Sequence, residues 1–486
     1  MFGRLKKNII LLAAAVMFAA VFLYITADFT APESNYHIIV SDEEITANGR
    51  VLTNRGDIYL SNDVVYYEDR DFYDSGNIYG EGTDSDKHSA EDAAAVSVLN
   101  ITKPGTYRLS GHLSHGQIRV DLGKNAYKDK NAVVNLILDG LDINCSVAPA
   151  VVFKNVYECG GEADINTASR KVDTSEAGAN IIIADGSINN ICGSHVAKIY
   201  KDGLQTKKLC KQDAALYSYM TLTIGGENDN SGVLNINADN EGICTERHLT
   251  INSGNINIIA LNDGINTNEE YISVTTINDG HINIIGGIGE NYGDGIDSNG
   301  WISINGGTVV SVGHMATDSG VDSNITCIVD GGTLISVGGM VDWPSERSDQ
   351  NTLMLQFKEP VSAKNALVVT DTSGNVVFAW DSAKNSTVGN FIGDCLGIAI
   401  SSSDFVPGEN YYLYLGGCIS GDETDGIYNP QTVTGFSGAK KQIYYSDEMF
   451  GTGGFTPDEN KEYTACDVFG FQSVVNCFAE VASAEN

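Results

Sequence analysis

The chain has 486 residues, with 63 acidic against 29 basic side chains, a net charge of −34 and a pI near 4.4. Such an acidic chain repels phosphate backbones, which excludes nucleic-acid binding through a basic face. With 42% hydrophobic and 19% charged residues it has enough apolar surface for a packed core, which excludes a disordered chain.

At the amino terminus Arg4, Lys6 and Lys7 precede an uncharged stretch from Asn8 to Ala27. A basic head and an apolar run of roughly 20 residues form an export pattern, read as a cleaved signal peptide or a single-pass membrane anchor through residues 8–27. Either form places the remaining chain outside the cytoplasm, secreted or at the cell surface, and it is expected to be a monomer. Residues 28–95 carry short strands with many Asp and Gly and are expected to be a spacer or cap. None of the ten cysteines stands in a CxxC pair, which argues against a zinc or redox site. Cys244 and Cys327 suit small core positions, and Cys395 with Cys418 or Cys466 with Cys477 are the candidate bridges.

Residues 214–340 repeat. A small residue, an aliphatic, any residue and Ser or Thr recur at Ala215, Gly242, Gly264, Gly295 and Gly320, spaced by 27, 22, 31 and 25 residues. A second element carries alternating apolar residues at Leu222/Ile224, Leu249/Ile251, Ile302/Ile304 and, more loosely, Ile325/Ile328. A third opens at Gly232, Gly254, Gly280, Gly307 and Gly332. Three short strands between Gly, Asn and Asp corners predict one coil of a parallel β-helix, with Leu234, Ile256, Ile282, Val309 and Leu334 stacked as one interior column. A sandwich of hairpins is the rival all-β fold, but it would show tight two-residue turns at regular intervals.

Upstream, Gly105–Gly111, Gln117–Val120, Val133–Ile143 and Asn180–Ile183 read as irregular early coils, and 157–178 as a polar insertion. The β-helix is placed at 96–344. Beyond it, longer strands at 353–357, 366–370, 376–380, 398–401 and 411–415, with a hairpin turn at Ser373-Gly374-Asn375, predict a small C-terminal β module over 345–486 that caps the open end.

Lys103-Pro-Gly-Thr-Tyr-Arg-Leu-Ser-Gly, Leu138-Asp-Gly-Leu-Asp-Ile with Ala148-Pro-Ala-Val, the Asp-Gly-Ile-x-Ser/Thr repeats and Phe405-Val-Pro-Gly-Glu-Asn-Tyr-Tyr-Leu-Tyr-Leu-Gly-Gly occur in this order. In these stretches the chain resembles a family of secreted carbohydrate-binding right-handed β-helix proteins, related in shape to pectate lyases. The resemblance covers about 95–420 and implies association with calcium and binding of plant cell-wall polysaccharide. The insertion at 157–178, Ala215 in place of a glycine and the extra cysteines depart from the family pattern.

Acids stand at matching places beside the repeat glycines: Glu241, Asp263 and Asp294 before the Gly, Asp297 and Asp322 two after it. Carboxylates one coil apart raise each other's pKa unless a cation sits among them. Calcium, a hard ion with 6–8 oxygen ligands, suits this set; the alternative is a solvated acidic edge with Asp chosen for turns.

Between Ala214 and Met340 the sole Lys or Arg is Arg247, against fifteen acids. A lyase would need Arg or Lys as base, and a hydrolase a carboxylate pair such as Asp294 with Asp297. Arg247 reads more simply as an ion-pair partner and the Asp pair as part of a repeating turn, so no catalytic residue is assigned. The function expected is calcium-dependent, non-catalytic binding of acidic pectin-like polymer or cellulose. A lyase or hydrolase on the same scaffold, or a structural surface spacer or adhesin, is the alternative. Tyr292, Trp301 and Arg247 are the candidate sugar contacts. The outward Asn235, Asn257 and Asn283 fit an amide ladder between coils.

Overall fold

Alternation of apolar and polar residues turns one side chain of each strand inward and the next outward, and here three such strands make each coil. The computed structural model describes residues 36–68, 79–161, 164–200, 208–289, 291–342, 348–364, 366–406, 409–444 and 474–475. The export segment and the Cys466–Cys477 pair lie outside them. Among the described residues no helix is long and apolar enough to cross a membrane.

In the repeat region the first strand of successive coils is Ala214–Ser218, Glu241–Thr245, Ile265–Thr267, Ile296–Ser298 and Val321–Ser323. The second is Leu222–Gly226, Leu249–Ile251, Val274–Ile277, Trp301–Ile304 and Thr326–Val329. The third is Val233–Ala238, Asn255–Ala260, His281–Ile285, Thr308–Val312 and Thr333–Gly338. Each strand pairs in parallel with its counterpart in the next coil, so the molecule is nearly all β with mostly parallel sheets. Leu234, Ile256, Ile282, Val309 and Leu334 are successive Cα partners, each buried in one core.

Two expectations for the second strand are corrected. Its third copy, Val274–Ile277, escaped the pattern because Val274-Thr-Thr-Ile lacks a strict alternation. In the last copy Cys327 and Val329, not Ile325 and Ile328, partner Ile302 and Ile304. The run from Ile325 to Val329 is apolar on both parities, and a one-residue slip exchanges the faces.

The early coils share these ladders through two long strands, Gly105–Leu113 and Val134–Cys145, each serving the second and third sheets in turn. The bend in the former falls at Gly111, at φ +101, where an added Cβ would meet the Val40 carbonyl oxygen at 2.2 Å. Tyr36–Val40 adds in parallel to that strand, and Ile58–Ser61 pairs antiparallel with Ser97–Ile101. At the other end Asp394–Ser401 runs antiparallel to both Thr333–Gly338 and Thr352–Ser362, which closes the ladder edge. Ala366–Asp371 and Val376–Asp381 form the hairpin across Gly374.

The cysteine pair Cys395 and Cys418 is not bridged, and the eight described cysteines are free thiols. Cys395 is fully buried on a strand facing Val361, whereas Cys418 is exposed and its backbone N–H donates to Ser437 Oγ. The chain holds them in different surroundings. Cys327 belongs to the main core, but Cys244 sits outside it, in a small cluster with Ala214 and Tyr217.

The Asn column is an amide ladder: Asn235 Nδ2 donates to Asn190 Oδ1 at 3.0 Å, Asn257 to Asn235 at 2.9 Å and Asn283 to Asn257 at 3.1 Å. The C-terminal module covers its end, with Asn385 Nδ2 donating to Asn283 Oδ1 at 2.7 Å and Asn283 Nδ2 to Asp425 Oδ2 at 2.9 Å. The module therefore docks along the flank of the coils as well as over their end. Replacing Asn283 by Ala strands buried partners on both sides, and chemical unfolding is expected to show a loss of about 1–3 kcal/mol.

Candidate cation and carbohydrate site

In the first sheet Leu216, Ile243, Ile265, Ile296 and Val321 face the core. Alternation then puts Tyr217, Cys244, Asn266, Asp297 and Asp322 outward, as successive Cα partners. The corner before each strand supplies a second column, Asp213, Glu241, Asp263 and Asp294, tied by backbone bonds. Glu241 N donates to Asp213 O at 2.9 Å, Gly242 N to Asp263 O at 3.0 Å and Gly264 N to Asp294 O at 3.0 Å. The small residue of the repeat is a consequence of this stacking. A Cβ on Gly264 would lie 2.1 Å from Ile284 Cγ2 and 2.5 Å from Gly295 O.

The two columns form one acidic ridge, with a rise of about 4.8 Å per coil. Asp263 Oδ1 accepts from Asp294 N at 2.8 Å, and Asp294 Oδ1 from Ser319 N at 2.7 Å. Asn266 Nδ2 donates to Glu241 Oε1 at 3.1 Å and Asp263 Oδ2 at 3.3 Å. This leaves two buried acceptors, Glu241 Oε2 and Asn266 Oδ1, without a hydrogen-bond partner.

Burial raises the carboxyl pKa values along the ridge, and like charges raise them further. Asp294 is pushed up to about 8, with Asp322, Asp263 and Asp297 adding to burial. Asp297 rises to about 7 through burial and the charges of Asp263 and Asp322, and Asp263 to about 6 through burial, Asp318 and Asp322. Glu241 is held well above the carboxylate range by burial and by Asp213 and Asp263, and the nearby Lys211 only partly offsets this. Asp322, at the exposed end, is raised too.

The structure thus brings Glu241, Asp263, Asp294, Asp297 and Asp322 onto one ridge. Among the described residues no three His, Cys, Asp or Glu side chains converge into a closed metal cage. The acidic side chains offer hard oxygens, the donor type a calcium ion takes, and burial with mutual repulsion accounts for their raised pKa values. Tyr292, 65% exposed, stands two residues before Asp294, edge-on to His314 at 5.3 Å. Arg247 lies past the far end of its strand, 4.0 Å from Glu269. Trp301 is half-buried and opens the second strand of its coil, on a different sheet.

Sequence reasoning missed Asn266, although it occupies the same repeat position as Asp297, and it missed Asp318, whose Oδ2 accepts from Gly293 N at 3.0 Å. A second titratable cluster also escaped it. His195 donates from both ring nitrogens, to Asp239 and to Asp86, each at 3.0 Å. Burial alone would lower its pKa, but the two carboxylates outweigh that and raise it to about 9. Because Asp86 belongs to the 79–95 segment, this charged pair clamps that segment to the coils. The contact with Asp86 spans 109 residues and leaves no local signal.

A family model described as carbohydrate-binding domain-containing protein matches residues 96–402. A carbohydrate-binding domain-containing protein of Acetivibrio thermocellus is 31% identical over 173 residues, 35% of this chain and 48% of that protein. The matched stretch therefore spans about half the length of that relative. Among solved structures, a polysaccharide lyase-like protein from C. thermocellum, as a gadolinium derivative, aligns with 62% of this chain and 93% of its own at 23% identity, with a TM-score of 0.35. With residues 96–402 matched, well over half its length, the chain belongs to the family of carbohydrate-binding domain-containing proteins.

Proposed function

We propose that this protein is an extracellular, calcium-dependent binder of plant cell-wall-type polysaccharide that does not cleave it. The observation that carries this is the ridge of Glu241, Asp263, Asp294, Asp297 and Asp322 with the unpartnered oxygens of Glu241 and Asn266 beside it. An acidic protein and a polyuronate repel each other, and calcium shared between ridge and uronate carboxylates removes the repulsion. With no closed cage of carboxylates, the ion takes oxygens from few acids, Asn266 and corner carbonyls, and keeps positions for the ligand. Exposed Tyr292 offers a ring for sugar stacking at the same place. Arg247, the sole Lys or Arg of the repeat region, lies 4.0 Å from Glu269 and reads more simply as its ion-pair partner than as a lyase base. Family membership supports a polysaccharide partner. The coils are taken as right-handed, the hand that parallel strand connections overwhelmingly adopt. Export through residues 8–27, as signal or anchor, puts the binder at the cell surface or beyond.

The test is co-sedimentation of the protein with insoluble pectate and cellulose, in calcium and in chelator, while released sugar is assayed. Retention on pectate that chelator abolishes, without released sugar, is the expected result. Unsaturated or reducing ends in the supernatant would contradict the non-catalytic reading, and equal retention in chelator would contradict the calcium requirement.

A further inference from the structure

We propose that a polar groove on the second sheet, walled by the 157–178 insertion, binds a neutral oligosaccharide without a metal ion. The inference uses the family's carbohydrate-binding character but not the acidic ridge, which lies on another sheet.

The groove encloses about 850 Å³, within the roughly 300–1,000 Å³ usual for ligand sites. Its floor is the outward face of the sheet, where Asn135, Asn180 and Thr223 are successive Cα partners, one in each coil. An extended sugar chain lying along the coil axis meets a new amide or hydroxyl about every 4.8 Å. Next to this row Gly225 keeps the floor low, since it places no side chain in the space.

One wall is residues 174–177, at the end of the insertion, and it is fixed in place. Thr174 Oγ1 donates to Thr250 Oγ1 at 2.8 Å, and Asn180 Nδ2 to the Ala177 carbonyl at 2.8 Å. At the insertion's other end the buried Glu158 accepts from Thr221 N and Thr221 Oγ1, each at 2.7 Å, and from Gly160 N at 2.8 Å. A polar insertion built only as a surface loop has no need of a buried carboxylate anchor.

Charge decides the ligand class. The ionic residues lining the groove are Lys130, Glu176 and Glu227. Lys130 pairs with Glu176 at 2.7 Å, and Glu227 pairs with Arg108. Each lining charge has a partner of opposite sign, and one Lys against two Glu gives the lining no net positive charge to recruit a uronate. The amides, by contrast, keep capacity: Asn135 spends Nδ2 on Thr106 and leaves Oδ1, whereas Asn252 spends Oδ1 on Asn278 and leaves Nδ2. Sugar hydroxyls, which donate and accept at once, match such a mixed lining.

The test is calorimetric titration of cellohexaose into the full protein in chelator, with trigalacturonate as the charged comparison. Cellohexaose is expected to bind and trigalacturonate not. Gly225→Phe fills the groove from the outward face, where an added Cβ makes only ordinary contacts, the nearest 3.6 Å from Ser253 Oγ. It is expected to weaken cellohexaose at least tenfold. Thr223→Val, which keeps the shape and removes the hydroxyl that donates to Asn180 Oδ1 on the groove floor, is expected to weaken it several-fold and decides the matter if Gly225→Phe does not fold. Absence of cellohexaose binding at millimolar concentration, or binding unchanged in both variants, overturns the groove. Pectate retention by the unmodified protein in calcium is read in parallel, so the groove and the ridge stand or fall separately.

Discussion

In chelator the protein is expected to melt at a higher temperature at pH 5 than at pH 8, and saturating calcium is expected to reverse that order. The sign follows from the ridge. Asp294, Asp297 and Asp263 have folded-state pKa values raised to about 8, 7 and 6, against about 3.9 in an unfolded chain. Across the interval from there to about 8 the folded state holds protons that the unfolded state has lost. Each rise in pH then favours unfolding, until the folded groups have ionised as well. On the calcium-dependent reading proposed above, the ion would bind the ionised ridge and not the unfolded chain, so its stabilisation would grow over the same interval. His195 adds a smaller effect of the same sign: its pKa is raised to about 9, so its share is present below about 6.5 and lost as pH rises through 9. The double variant Asp294→Asn with Asp297→Asn should flatten the chelator profile and remove most of the response to calcium. A melting temperature in chelator that rises from pH 5 to pH 8 would contradict the ridge electrostatics.

Truncation of the core column is expected to be the most damaging neutral substitution. Ile282 is fully buried between Ile256 and Val309 in adjacent coils. Ile282→Ala removes its packing from both neighbours and leaves a cavity, at a cost of about 2–5 kcal/mol. Because each coil contacts chiefly the next, the loss divides the stack into two halves that support each other less, and broadening of the denaturant transition should accompany the lower midpoint. Ile39, 56% exposed on the first strand, provides the comparison. Ile39→Ala should stay within about 0.5 kcal/mol of the parent protein.

The stack was legible in the sequence because its cause is periodic. A coil that repeats every 22 to 31 residues writes a small residue, an aliphatic and a glycine corner five times over. Registry failed where the pattern was degenerate, as at Ile325–Val329, where either parity is apolar. The ridge was legible for the same reason: Asp263 and Asp294 precede the same glycine, and Asp297 and Asp322 follow it. Asn266 was lost because an amide does not look like a ligand in a row of acids, although its position in the repeat is that of Asp297. Contacts that cross between distant segments left no trace. His195 meeting Asp86, Asn385 meeting Asn283 and Thr174 meeting Thr250 are each set by the packing of segments whose sequences do not repeat. The groove depends on the last of these, and it emerges only once the insertion is folded against the sheet.

The most direct test of the central claim is calorimetric titration of calcium into the metal-free protein and into the Asp294→Asn, Asp297→Asn double variant. The account requires saturable binding by the unmodified chain, in the range of about 10⁻⁴–10⁻³ M known for extracellular calcium modules, and loss of that binding in the variant. Equal calcium binding by the two proteins, or none by either, would contradict a calcium site on the ridge.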